Sequence, residues 1–468
     1  MQARRRLHKF VIRHVGHPLF RRLTGEYPVP GRVDELDATY RLPREELLRR
    51  QWEKLREVVK AAYESCPYYT ELLDGVGIKP EDVNTPEDYA RIPFLTKAII
   101  RKRGKDMLAR GADETKLVES GTAGTTDMPI KFYRTKEVGQ EKWAQTASFN
   151  RWYGWDVGDP TAFLWGAAMD IYAPVSLRGR AKKFLTNQDV LLPSVPLTEQ
   201  ELDRHWRTLE RFAPRVIQGY PIPLYLLARH VKVSGGRLDL PDLKAIVATA
   251  EPLYDYQREL IEEMFPCKAY DRYGARETGL ISQECVAERS LHINTEGVYL
   301  ETIAGGGPAG EGVTGEVIVT DLHNTTMPFL RYQLGDVAAL SARKCDCGSG
   351  LPIMHSMTGR VGDLVILPNG VMVPGFWFPA RLVKYAPGAV DQLQVIQEEP
   401  SRFTIKYVPG PTFSPQDMAK MKEMFVVLFG KESKADFVVV DDIPRDRSGK
   451  TRACISKVSA DFLGVRPE

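Results

Sequence analysis

The sequence predicts an α/β protein with a large N-terminal domain of layered sheets and helices and a small α+β domain at its C-terminus. Two changes of texture carry this. From about residue 160, short apolar runs ("TAFLWG", "RVIQGY", "LKAIVATA", "CKAYDRYG") alternate with helical patterns such as "LTEQELDRHWRTLERF" and "PLYLLARHVKVS". Such alternation packs as α/β layers with mainly parallel strands. After about 290 the chain turns β-rich, with "GVYLETI", "TGEVIVTD" and "DVAALS" joined by Gly-rich links.

The elements follow in order. Residues 43–64 put Leu47, Leu48, Trp52, Leu55, Val59 and Ala62 on one helical stripe. "DLVILPNGVMVPG" reads as a hairpin turning at Asn369-Gly370. Ser414-Pro415 opens a helix that ends near Gly430, and "ADFVVV" reads as a strand. We therefore expect a basic extension over 1–40, a large domain over 41–362 and a small domain over 363–468.

With 468 residues, 43% hydrophobic and 27% charged, the chain has the composition of an ordinary globular protein. The net charge of +3 is uneven. Residues 1–25 hold seven basic side chains and no acid, which leaves 3 − 7 = −4 for the rest. There is no broad basic bias and no recognition module, so nucleic acid is not an expected partner. The longest apolar run at the start, Phe10-Val11-Ile12, is too short for a signal-peptide core or a membrane span. Leu7, Val11 and Val15 recur at helical spacing. Peripheral contact of residues 1–25 with an anionic membrane is one reading, and a helix lying on the domain is the favoured one. Six cysteines without a secretory signal point to reduced thiols or metal ligands, hence a cytoplasmic protein.

Several segments carry chemistry. "ESGTAGTTDMPIKFYRT" (119–135) is a Ser/Thr/Gly loop of the kind that wraps phosphate, yet it lacks the G-x-x-x-x-G-K-[ST] spacing. "YDRYGARETG" places the Glu277 carboxylate, suited to a metal, just after an apolar strand. "RYQLGD" sets Asp336 on a tight turn, where it can accept ribose hydroxyls. "GRVGDLV" puts Arg360 and Asp363 at the domain junction, and "IPRDRSGKTR" presents Lys450 on a Gly loop. Cys285, His292, Cys345 and Cys347 would complete a tetrahedral zinc shell. Their spacing alone leaves zinc and free core thiols equally open.

In order and spacing, the series SGTAG, YGARE, RYQLGD, GRVGD and PRDRSGK resembles the motifs of the adenylate-forming acyl-CoA ligase superfamily. "CPYY", "IPFLTK", "GWDVGD" and "MPFLRYQLGD" are similar to its phenylacetate–CoA ligase branch, most of all to capsular-polysaccharide-associated (CapK-type) members. The resemblance runs from about residue 40 onward. It implies an adenylate-forming fold whose small domain is mobile. It also implies that Ser120, Gly121, Thr122, Gly124 and Thr125 cradle the ATP phosphates. Glu251 and Pro252 would lie on the adenine side, with Tyr273 and Gly274 against the base. Glu277 would bind Mg²⁺, Asp336 and Arg360 would meet the ribose and hinge side, and Asp363 would be the hinge. Lys450 would be the catalytic lysine, and Tyr220 would wall the acid pocket, with Phe149, Trp152 and Trp165 as further candidates. Cysteine pairs of this kind in relatives favour zinc.

Three stretches depart from the family pattern. Arg276 replaces a common Thr or Ser, "TTDMP" lengthens the phosphate loop, and "PNGVMVPGFWF" lacks the Gly-containing segment that faces the acceptor thiol. The first reading is therefore an ATP-dependent, AMP-forming ligase that activates a carboxylic acid, an aryl acid among the candidates, and passes it to CoA. The rivals are transfer to an amine, alcohol or carrier protein, AMP transfer itself, and a silent zinc-bearing scaffold. A homodimer is compatible with all of them.

Overall fold

The structure is a computed structural model. It describes residues 2–24, 29–121, 130–165, 185–186, 188–194, 198–355, 359–360, 364–368, 372–374, 389–410, 412–444 and 452–458. The long amphipathic helix Arg44–Ser65 buries Leu47, Gln51, Leu55, Val58, Val59 and Ala62. Leu48 faces outward instead, because steps of three and four residues from Leu47 bring Gln51 and Val58 onto the inner stripe. The buried Gln51 amide remains satisfied by donating to the Val298 carbonyl at 2.6 Å.

The Ser/Thr/Gly segment begins as a hairpin arm. Strand β1 (Val118–Gly121) pairs antiparallel with β2 (Lys131–Arg134), with Ser120 opposite Phe132. Next come β3 (Thr161–Leu164), β4 (Asp189–Leu192), β5 (Val216–Gly219), β6 (Ala245–Thr249) and β7 (Lys268–Ala275), which run parallel in the order β4-β3-β5-β6-β7. Every residue of β6 is buried, as expected of a parallel strand covered on both faces.

The sheet then changes hand. Strands β8 (Gly279–Glu284) and β9 (Leu291–Ile293) continue it antiparallel. "Mainly parallel" was thus too broad. Between β7 and β8 lie only three residues, and so short a connection can join antiparallel neighbours only.

A second sheet is antiparallel throughout. It contains β10 (Val298–Ala304), β11 (Gly307–Pro308), β12 (Gly315–Asp321) and β13 (Tyr332–Ala338). Strands β14 (Leu340–Ser341) and β15 (Ile353–Met354) close the far edge of the first sheet, and β16 (Gly359–Arg360) closes the second. Asp336 therefore sits within strand β13, not on a turn. The flexible point beside it is Gly335, whose φ of 78° suits glycine.

Toward the C-terminus, β17 (Leu364–Ile366) and β18 (Met372–Pro374) form the arms of the expected hairpin. Asn369 and Gly370 lie outside the described residues. A four-stranded sheet follows, built from β19 (Val390–Glu399), β20 (Arg402–Pro409), β21 (Lys434–Val439) and β22 (Cys454–Ser456). The helix Pro415–Phe429 packs Phe425 and Phe429 on Phe403 of β20. Ser414 and Asp417 form its capping box, and Gly430 follows its last turn with φ 88°.

Candidate active site

Four parallel strands end side by side, and each is followed by a segment that the sequence singles out. Trp165 follows β3, Tyr220 follows β5, Glu251 and Pro252 follow β6 after Ala250, and Arg276 and Glu277 follow β7. Ligands of open α/β sheets bind in the crevice beyond these carboxyl ends. Ala250 takes a φ of 70°, a left-handed conformation rare for a residue with a Cβ, just before Glu251.

Two tyrosine–carboxylate bonds join the sheets at this crevice. The Tyr273 hydroxyl on β7 donates to Asp336 Oδ2 on β13 at 2.8 Å. The Tyr332 hydroxyl on β13 donates in return to Glu277 Oε1 at 2.9 Å. Each motif is Tyr-x-x-x-carboxylate, and each lends its tyrosine to the other's acid. Asp336 also lies opposite Arg360 in the β13–β16 register. Arg276 Nη1 donates to the Gly121 carbonyl at 3.1 Å, tying the β1–β2 hairpin to the Glu277 turn. The structure thus brings Gly121, Tyr273, Glu277, Asp336 and Arg360 together. Thr122, Gly124, Thr125, Asp363 and Lys450 lie outside the described residues.

The Glu277 turn is held from below. Lys142, on the helix Lys136–Asn150, donates from Nζ to the Glu277 carbonyl at 2.7 Å and to Asp321 Oδ2 at 2.6 Å. Both partners of that ion pair are buried, so removing either would strand a charge in the interior. Gly279 leaves the turn with φ 84°, and a Cβ there would press on the Lys142 stem at 3.1 Å. Arg331 of "RYQLGD" turns away from the crevice. Its guanidinium pairs with Glu301 and donates to the carbonyls of Ala90 and Ile92, so this motif residue fastens the "IPFLTK" segment to the sheet. Leu95 completes that joint by bridging Arg331 O and Gln333 N.

On the acid-pocket side, Tyr220 packs its ring on Trp165 with centroids 4.5 Å apart. Phe149 is fully buried between Tyr40 and Trp152, and so serves the core. Trp152 stands edge-on to His292 at 5.4 Å, beside the thiol cluster and away from the crevice. The "YDRYGARETG" segment also carries a cation to which the sequence reading gives no role. Arg272, just before Tyr273, is buried and held by the side-chain oxygens of Gln283, Gln218 and Asn150. Burial lowers this guanidinium to about 10.

The second constellation is assembled. The ligand atoms of Cys285, His292, Cys345 and Cys347 all lie within 4.8 Å of one another. Cys285 Sγ and Cys345 Sγ are 3.6 Å apart, and Cys347 Sγ is 3.3 Å from His292 Nε2. A disulfide would need about 2.05 Å, whereas a tetrahedron with zinc–sulfur arms of about 2.3 Å has edges of this order. His292 Nδ1 lies 3.3 Å from the Leu351 carbonyl, a contact that leaves Nε2 for a metal. The amides of Cys347 and Ser349 point at Cys345 Sγ and Cys347 Sγ, each at 3.5 Å. Burial opposes a thiolate at Cys285, but the His292 imidazole and nearby amides outweigh it and bring this thiol to about 6. Burial instead pushes Cys345 up to about 12. Elsewhere Cys66 and Cys454 are buried, while Cys267 is half-buried.

The two sheets make an α/β fold whose parallel strands end beside the Tyr273–Asp336 and Tyr332–Glu277 pairs. Comparison with known proteins refines it. Residues 369–457 match the CapK C-terminal domain. A phenylacetate-coenzyme A ligase from Thermus thermophilus is 28% identical over 442 residues, spanning 91% of this chain and 92% of the relative. Protein CapK of Staphylococcus aureus is 22% identical, spanning 88% and 89%. Among solved structures, 2-hydroxyisobutyryl-CoA ligase in its postadenylation state aligns with a TM-score of 0.72 at 17% identity, covering 90% of this chain and 91% of that one. Along most of its length the chain is similar to phenylacetate–CoA ligases and to CapK, the likeness its motifs carry.

The exchanged tyrosines give a first test. Tyr332→Phe removes one buried hydrogen bond and should lower stability by about 0.5–1.5 kcal/mol in urea unfolding. An unchanged midpoint would mean that this bond does not hold Glu277.

Proposed function

We propose that this protein is an ATP-dependent, AMP-forming ligase that activates a carboxylic acid as its acyl-adenylate and transfers the acyl group to CoA. The observation that carries it is the pairing of Tyr273 with Asp336 and of Tyr332 with Glu277. It supports placing a ribose-binding acid and a metal-binding acid in one crevice beside the Ser120–Gly121 strand. Descent alongside phenylacetate–CoA ligases supports the reaction.

In this reading an acid oxygen attacks the α-phosphorus, the bond to the β-phosphate oxygen breaks, and pyrophosphate leaves. Both partners are anions, so the site must supply positive charge as the bond forms. Lys450 would sit between the acid and the α-phosphate. Ser120, Gly121, Thr122, Gly124 and Thr125 would hold the departing phosphates, and Asp336 the ribose, with Glu251, Pro252, Tyr273 and Gly274 around the base. A Mg²⁺ ion held by Glu277 would neutralise phosphate charge. The reactive loops belong to the large domain over 41–362, and Lys450 to a small domain that turns about Asp363. That rotation would free the crevice for the thiol. Tyr220 and Trp165 suit an acid with an aromatic or other flat apolar part.

The thiol–imidazole cluster is read as a structural zinc centre. Four donors leave no open position for water, and the His292 contact with Leu351 supplies the outer support such ligands have. The centre would bind the β8–β9 hairpin to the segment before β15.

Pyrophosphate release with ATP, Mg²⁺ and a panel of aryl and aliphatic acids, each with and without CoA, tests the reaction. The wild type should turn over and form a CoA thioester. Lys450→Ala should lose about 10²–10³ in rate, by analogy with the loss of one stabilising donor. No turnover across the panel favours a scaffold, and turnover without a thioester moves the acceptor to an amine, alcohol or carrier protein. Metal analysis of the purified protein should give one zinc per chain, lost in Cys345→Ser with a lower melting temperature. Unchanged zinc in that variant would refute this ligand set.

A further inference from the structure

The N-terminal basic segment has two unlike faces. Its helices Gln2–Val11 and His17–Thr24 are joined by a π-helical turn, Ile12–Gly16. One face is fastened to the large domain. Lys9 pairs with Asp159 at 2.9 Å, and Arg13 pairs with Asp156 at 2.6 Å and with Asp34 at 2.9 Å. Ile12 is fully buried, and a Cβ on Gly16 would collide with the Leu185 carbonyl. A Cβ on Gly158 would press on the Lys9 backbone, so helix and domain meet at glycines on both sides. The favoured sequence reading, a helix lying on the domain, describes this face.

The other face is left to solvent. Leu7 is 64% exposed, Phe10 56%, Val15 49% and Leu19 42%. Four large apolar side chains within thirteen residues are not scattered singletons. Around them the sequence places Arg4, Arg5, Arg6, Arg21 and Arg22, and no acid occurs before Glu26. Lys9 and Arg13 are fastened to the domain by these pairs.

We propose that this face docks on an anionic lipid surface, with Leu7, Phe10, Val15 and Leu19 entering the headgroup boundary and the arginines facing lipid phosphates. Charge decides between the candidate occupants. A second copy of this segment, which is basic and has no acid before Glu26, would bring like charge against like, whereas an anionic bilayer supplies the counter-charge. The anchoring pairs hold the helix flat on the domain, so docking would orient the whole enzyme without a spanning segment. No helix among the described residues is long and apolar enough to cross a membrane.

Co-sedimentation of the full chain with vesicles tests this. Vesicles of phosphatidylcholine with phosphatidylglycerol should bind the protein at least about tenfold more tightly than phosphatidylcholine alone, and added salt should weaken the binding. Leu7→Ser/Phe10→Ser should reduce that binding by about tenfold or more while leaving ATP-dependent pyrophosphate release unchanged. Arg22→Glu should weaken it without touching the apolar stripe. The proposal is overturned if neither vesicle binds the protein, or if the double variant binds as well as the wild type. It is also overturned if sedimentation velocity shows the double variant turning a dimer into a monomer, because the face would then be an interface between copies.

Discussion

Two tyrosine hydroxyls on two different sheets hold the candidate site in place. Tyr273 reaches from the parallel region of the nine-stranded sheet to Asp336, and Tyr332 reaches back from the antiparallel sheet to Glu277. Both carboxylates lie at the seam between the packed sheets. A phenolic donor on each carboxylate satisfies part of its hydrogen-bonding need. Buried cations brace the layer beneath. Lys142 grips the Glu277 carbonyl and Asp321, and Arg331 pairs with Glu301. The seam is thus braced by buried ion pairs.

Fixing the seam also gives purpose to residues that look like departures. Arg276, which departs from the Thr or Ser that the family resemblance implies there, reaches the Gly121 carbonyl and ties the β1–β2 hairpin to the Glu277 turn. A guanidinium spans a gap that a Thr hydroxyl could not. Arg272 is the opposite case, a buried cation wrapped in three carboxamides. Such a group is costly to bury, which the fall of its proton affinity records.

Much of this was legible in the chain because motifs are local. Glu277 and Asp336 each stand at a fixed distance from a tyrosine, and Cys345 and Cys347 are two residues apart, so short windows announce them. The exchange between motifs was not legible, since Tyr273 and Asp336 are 63 residues apart and only packing of the two sheets brings them together. Burial misled the reading at single positions for the same reason. Leu48 fits a helical stripe by type, but helical spacing from Leu47 places Gln51 and Val58 inward in its stead. Phe149 and Trp152 are aromatic and near the right helix, yet one fills the core and the other screens the thiol cluster. Arg331 sits inside a chemical motif and serves as a joint. Residue type proposes a role, and only the neighbours assign it.

In the proposed reaction a carboxylate oxygen of the substrate attacks the α-phosphorus of ATP. Labelling both carboxylate oxygens of an accepted acid with oxygen-18, and analysing the AMP after thioester formation by mass spectrometry, reads that bond directly. If the acyl-adenylate forms and the thiol then displaces AMP, each AMP leaves with a single labelled oxygen. Label absent from AMP, or found in pyrophosphate or orthophosphate, would contradict the mechanism.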